Sequence, residues 1–138
     1  MSMLNLIEGP VGDPLNQEIT PDEAQAGARA IVNLFDNWQL TDEQACGALG
    51  NMSARTWARW KQREFGRIGL DLATRLSLLL GIHKSLRIIF KDRRDGYAWI
   101  KKPNEAFGGR SAAELMAGGQ IFALIRIRRY LDAERGGW

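Results

Sequence analysis

Three times this chain writes the same helix start, and that punctuation limits what it can fold into. Thr20-Pro21-Asp22-Glu23, Thr41-Asp42-Glu43-Gln44 and Ser111-Ala112-Ala113-Glu114 each place a hydroxyl three residues ahead of a Glu or Gln. In that spacing the hydroxyl accepts from the third helical amide, while the third side chain reaches back to the amide of the capping residue. Pro21 at a first helical position and acids in a first turn add to the same signal. The stops are as plain: Gly50-Asn51, Gly81 and Gly118-Gly119 interrupt the apolar periodicity. After the first start, Ala24, Ala28, Ile31, Phe35 and Trp38 recur at spacings of four, three, four and three, which predicts one buried stripe through about Trp38. No strand alternation occurs anywhere, so the expected fold class is all-α.

The second start opens a short helix that Gly50-Asn51 should end. Ser53 can then cap the next, ARTWARWKQR, and two short helices broken at Gly50 suggest a helix-turn-helix. That motif places a small residue four before the turn glycine, where Cys46 stands, and packs an apolar residue of the second helix against the first. Trp57 and Trp60 are the anchors available, and one of them must partly face out unless a neighbour covers it. With Trp57 rather than Thr56 packing back, the turn is one residue longer than in the commonest form. The second helix carries Arg55, Arg59, Lys61 and Arg63 and no acid. Arg55 and Arg59 share a face, where arginine can fork onto guanine edges or clamp phosphates, while Lys61 and Arg63 suit phosphates. Ser53, Arg55, Thr56, Arg59, Lys61 and Arg63 are therefore the candidate DNA contacts. A merely solvated basic face is the competing reading.

Further on, Asp71 can cap a helix carrying Leu72, Leu76 and Leu79, halted at Gly81. A separate helix from about His83 to Lys91 would turn Leu86, Ile89 and Phe90 inward. Lys84, Arg87, Lys91, Arg93, Arg94, Lys101 and Lys102, broken by Asp92 and Asp95, form a basic stretch. It reads as a solvated surface, or as an extension of a polyanion or acidic-protein contact. Trp99 should pin the loop before the Phe107-Gly108-Gly109 turn.

The last third predicts a helix over 112–117, a break at Gly118-Gly119 and a helix over 120–134. At 100° per residue, Ile121, Leu124, Ile125, Ile127 and Leu131 fall within about 160° of one another. Arg128 and Asp132 lie inside that arc, one turn apart, either paired with each other at the edge of a core or presented to another chain. Beyond Glu134 come Arg135-Gly136-Gly137-Trp138, a glycine-hinged arm with a cation at one end and an indole at the other.

Tyr97-Ala98-Trp99, Pro103-Asn104, the Phe-Gly-Gly turn, Ser111 with its Leu-Met helix, the Gly-Gly break and YLDAERG together resemble the toxin-binding domain of the Xre/MbcA/ParS antitoxin family. The resemblance continues upstream through RLSLLLGIHKSLRIIFKD and covers roughly the second half of the chain. Ala112 departs from it, since the family often has Pro there, and Ala also suits a first helical turn. The resemblance implies an N-terminal helix-turn-helix (Xre-like) module packed on a C-terminal helical toxin-binding domain. The expected division is a flexible arm over 1–19, the helix-turn-helix module over 20–66 and the toxin-binding domain with its arm over 67–138. It also implies a partner toxin of the RES fold, which resembles ADP-ribosyltransferases and depletes NAD. Arg128, Asp132, Arg135, Gly136, Gly137 and Trp138 are the candidate toxin contacts, with the arm occluding the toxin's active site. The further partners expected are operator DNA and a second copy of the chain, a dimer that joins the toxin in a larger complex. A plain helix-turn-helix regulator whose C-terminal half only dimerises is the alternative.

Charge and composition fit a binding protein. Residues 1–52 carry eight acids and one base, a balance of −7, and residues 53–138 carry eight acids and eighteen bases, a balance of +10. The basic half attracts polyanions or an acidic partner, or the acidic half of the fold itself. A content of 45% hydrophobic residues is enough for a core. No apolar run is long enough to span a membrane, and the start lacks the basic and apolar regions of a signal peptide. One cysteine allows no internal disulfide and suits a reducing cytoplasm. Catalysis would rest on Cys46 and His83, the single residues of their kinds, and a buried Cys46 would be inert. Metal binding fails for lack of a second soft donor, no glycine pair matches a phosphate-binding fingerprint, and neither catalytic residues nor a cofactor are expected.

Overall fold

The computed structural model describes residues 20–136, in which seven α-helices carry the chain. They are α1 (Pro21–Asn37), α2 (Asp42–Ala48), α3 (Ala54–Lys61), α4 (Leu70–Ile89), α5 (Arg93–Trp99), α6 (Ala112–Ala117) and α7 (Ile121–Glu134). No strand forms among the described residues. A single antiparallel bridge joins Asn104 to Arg110 around a 3-10 turn, Glu105–Phe107. The arm expected over 1–19 lies outside the described residues.

All three capping boxes form. Glu23 accepts from the Thr20 amide at 3.0 Å and Gln44 from the Thr41 amide at 3.0 Å, while Glu114 accepts from the Ser111 amide at 2.8 Å. Each hydroxyl accepts in return at 3.1 Å. The α1 stripe is buried from Ala24 to Trp38, as its spacing requires. It faces α3 and α4, and Phe35 stacks on Trp38 at 5.8 Å between ring centroids.

Four local points matter here: the first and fourth correct an expectation, the second is a helix that was not expected, and the third meets a condition set above. First, α4 runs unbroken through Gly81, with Gly69 at its N-cap and Asp71 inside its first turn. A glycine in mid-helix costs about 1 kcal/mol, but a Cβ here would collide with the guanidinium of Arg128 on α7. The fully buried Leu79 and Ile82 flank this point, and burying each side chain contributes roughly 2 kcal/mol, so packing outweighs propensity. Second, residues 93–99 form a helix, capped by Asp92, whose carboxylate accepts from the Arg94 amide at 2.9 Å. Third, neighbours cover both tryptophans of α3, so the condition under which neither faces out is met. Trp57 lies against Phe35 and donates its indole N–H to Asp42 at 3.0 Å, and Trp60 meets Phe65 edge-on at 5.2 Å. Fourth, Cys46 is only half buried, and the small residue that permits close helix approach is Gly47. Its Cα side lies against the Ala117 backbone, so the approach joins α2 to α6 rather than to α3.

The two halves thus share one core. Central α4 packs on α1, α5 and α7, and α2 packs on α6. The Gly50-Asn51 turn meets the Gly118-Gly119 turn, and a Cβ at Gly119 (φ +82°) would run into the Asn51 amide. Arg75 of α4 ties this seam from below. Its guanidinium donates to the Gly119 carbonyl at 2.9 Å and the Ala48 carbonyl at 3.4 Å, satisfying chain ends that helix termini leave open.

Candidate interaction surfaces

On α3 the capping Ser53 accepts from the Thr56 amide at 3.1 Å and donates to the Thr56 hydroxyl at 2.9 Å. The amphipathic helix buries Trp57 and Trp60 and leaves Arg55, Ala58, Arg59 and Gln62 exposed on the opposite face, at i, i+3, i+4 and i+7. Arg59 stands 3.8 Å from Glu64, both about two thirds exposed, a contact of little energetic weight. Lys61 is differently placed: its ammonium lies 3.1 Å from Asp42 and over the Trp57 ring. The Lys61 ammonium and then the Trp57 indole hold the Asp42 carboxyl below its ordinary range. Arg63 takes φ +69° as the chain leaves α3 and donates to Asn33 at 2.8 Å. So the structure brings Arg55 and Arg59 together on an outward face, places Ser53 and Thr56 at its leading edge, and ties Lys61 and Arg63 back to α2 and α1. Gln62 was missed in the sequence, although its spacing of seven from Arg55 puts it on the same face.

At the far end of α7, Arg128 and Asp132 pair at 3.4 Å, each about one third exposed. Of the two readings of these residues, the pair at the edge of the core is the one observed. Asp132 also accepts from Ser85 of α4 at 3.1 Å and lies 3.6 Å from Arg135. Arg135 in turn donates to the Ser85 hydroxyl at 3.2 Å. Fully buried Ser85 is therefore the hub that sequence reading missed, one small hydroxyl in an apolar helix. Gly136 follows with φ +73° and nothing near its missing Cβ. Gly137 and Trp138 lie outside the described residues.

Trp99 pins its loop as expected, stacking on Tyr130 and meeting Phe107 edge-on, both at 6.1 Å. Burial first, then the nearby charge of Asp42, pushes the Cys46 thiol above its ordinary value, the opposite of what a nucleophile needs. Burial, then Arg87 and Arg93, holds His83 below its ordinary value. Among the described residues no helix is long and apolar enough to cross a membrane.

A helix-turn-helix with an outward arginine face, fused through a shared helix to a second helical unit, defines a two-module binding protein. Residues 17–81 match the antitoxin Xre-like helix-turn-helix domain, and residues 85–137 match the antitoxin Xre/MbcA/ParS C-terminal toxin-binding domain. The chain belongs to the Xre/MbcA/ParS antitoxin family. It is similar to the uncharacterized protein y4oB of Sinorhizobium fredii (strain NBRC 101917 / NGR234), 37% identical over 112 residues that cover 81% of this chain and 86% of the relative. No solved structure matches it. The two matched segments meet inside α4, between residues 81 and 85.

Proposed function

We propose that this antitoxin neutralises a RES-domain, NAD-depleting toxin by laying α7 and the segment Arg135–Trp138 across the entrance of its active site. The observation that carries this reading is the fixed exit from α7. Asp132 and Ser85 hold Arg135, and the positive φ of Gly136 then turns the backbone off the helix axis. An Arg135 already held at the end of α7 loses less freedom on docking than a free side chain would. Gly136 and Gly137 allow close backbone approach, and the Trp138 indole can stack where a base or nicotinamide would lie. Arg135 can exchange its internal partners for a toxin carboxylate or a phosphate subsite. Arg128 and Asp132 brace that exit and border the docked surface.

The second role is repression of its own operon by a dimer that sets two copies of α3 on a palindromic operator. Arg55 and Arg59 would read or clamp the DNA, with Ser53 and Thr56 at the leading edge and Lys61 and Arg63 toward phosphates.

The test is cellular NAD after induction of a RES-domain toxin with this chain co-expressed whole or ending at Gly136, which leaves the Arg135 contacts intact. Preservation of NAD by the whole chain and collapse with the shortened one is the expected result. Preservation by both would move inhibition to the helix faces, and collapse with both would remove the RES partner.

A further inference from the structure

The helix that carries the exit also presents a second, unpartnered face. Leu124, Ile127 and Leu131 form the buried seam of α7. About 180° away around the helix, Phe122, Arg126, Arg129 and Ala133 share an arc of about 60°, and all four are exposed. Phe122 is 74% exposed, so its ring offers area to a partner and gains little within the fold. It stands at the rim of a groove of about 380 Å³ between α6 and α7, lined by Arg110, Leu115, Gly118, Gln120, Ala123 and Arg126. No acid lines that groove. Arg126 is held in place, donating to the Ala106 carbonyl at 2.8 Å with its guanidinium over the Phe107 ring at 5.4 Å.

We infer that this outward stripe of α7 is the docking face for the toxin: Phe122 inserts into an apolar depression on it, and Arg110, Arg126 and Arg129 meet an acidic rim. The inference rests on the antitoxin reading and adds to it the surface and the chemistry of the partner. Three observations favour a protein over a nucleic acid. Phe122 is an exposed ring with Leu115 and Ala123 beside it in a groove that Arg110, Gln120 and Arg126 also line, and aromatic and arginine side chains together are what protein interfaces use as anchors. The face lies wholly within the segment matching the toxin-binding domain. The arginine face of α3 is a separate surface suited to DNA. The face is also distinct from Arg128 and Asp132, which turn toward Gly81 and Ser85 of α4. A preset guanidinium beside an exposed ring is the combination that interface anchors use, because little rotamer freedom is lost on binding.

The experiment is calorimetric titration of the purified toxin encoded beside this chain with the full-length antitoxin, its Phe122→Ala variant and an Arg110→Glu, Arg129→Glu double variant. Each should melt like the wild type, since the three side chains are exposed. Phe122→Ala is expected to weaken toxin binding about 30-fold or more. The double variant is expected to weaken toxin binding several-fold at low salt and to flatten its salt dependence. Wild-type toxin affinity in both variants overturns the inference. So does loss of operator binding alone, which would assign the face to nucleic acid, or loss of self-association alone, which would assign it to a second copy. The fold and NAD-depleting activity of the toxin used decide the RES reading independently of these variants.

Discussion

Of the helical glycines Gly27, Gly47, Gly81 and Gly96, two should answer replacement by alanine in opposite ways. Gly47 lies in α2 with α6 directly against it: a Cβ would stand 2.6 Å from the Ala117 Cα and 2.7 Å from its carbonyl carbon, with the carbonyl oxygen closer still. Carbon atoms prefer about 3.5–4.0 Å, so α6 would have to retreat by roughly 1 Å. The obstacle is backbone, which cannot rotate away as a side chain can. Overpacking costs about 1–3 kcal/mol or more, and the gain in helix propensity returns only about 1 kcal/mol. A further loss comes from loosening Arg75, which bonds the Ala48 and Gly119 carbonyls across the same seam. The net expectation for Gly47→Ala is about 2 kcal/mol of destabilisation, or a Tm lower by roughly 8 °C. Gly27 in α1 is the control. Its Cβ would meet Leu76 Cδ1 at 3.7 Å and Leu80 Cδ1 at 4.0 Å, ordinary contact, so Gly27→Ala should gain about 0.5–1 kcal/mol and raise Tm by a few degrees. Melting curves of both variants by circular dichroism read the two shifts. If Gly47→Ala melts at or above the wild type, the close approach of α2 to α6 is refuted.

Arg55→Ala with Arg59→Ala should lower operator affinity on the order of 100-fold and leave toxin binding unchanged; joint loss of both activities in a folded variant would contradict the division between α3 and α7. His83 is held below its ordinary value of 6.5, so between its folded pKa and about 6.5 the unfolded chain binds more protons than the folded one. Stability from this group is therefore full above that window and falls as pH drops through it. His83→Gln should flatten that slope in melts taken across the window, and an unchanged slope would assign the acid sensitivity elsewhere. Asp132→Ala removes the acceptor shared by Ser85, Arg128 and Arg135. At one-third exposure it should cost about 1–2 kcal/mol by urea denaturation, and a loss under about 0.5 kcal/mol would mean that solvent replaces the network.

What was legible in the sequence was local. A capping box closes within four residues, so Thr20, Thr41 and Ser111 announced their helices correctly. Gly81 misled because a glycine that stops a helix and one that clears space for a guanidinium 47 positions later look alike in one dimension. The α5 helix was not expected at all, because its stretch reads as charge alone and Gly96, which packs against Leu86 and Phe90, carries no periodic signal of its own. Near Cys46 the need for a small residue was readable, but the partner helix was not, because the approach comes from α6. At the surfaces, the shared face of Arg55 and Arg59 followed from helical periodicity alone. The ties of Lys61 to Asp42 and Arg63 to Asn33 did not, since each bond spans nineteen residues or more.

The same geometry constrains how the two modules can be taken apart. Their family segments meet inside α4, a continuous helix that packs on α1 from the first module and on α5 and α7 from the second. Arg75, Gly47 and Asn51 join the modules again through α2, α6 and the turns beside them. A substitution at any of these positions strains both sides of one core, so it lowers both activities together through stability and says nothing about either surface. Variants that separate the proposed repression from neutralisation must instead lie where side chains leave the core without bracing it. On α3 that means Arg55, Arg59 and Gln62, and on α7 it means Phe122 and Arg129. Arg135 fails that criterion despite its place in the exit segment, because it is bonded to Ser85 and Asp132. Its removal would loosen the end of α7 even where no toxin is bound.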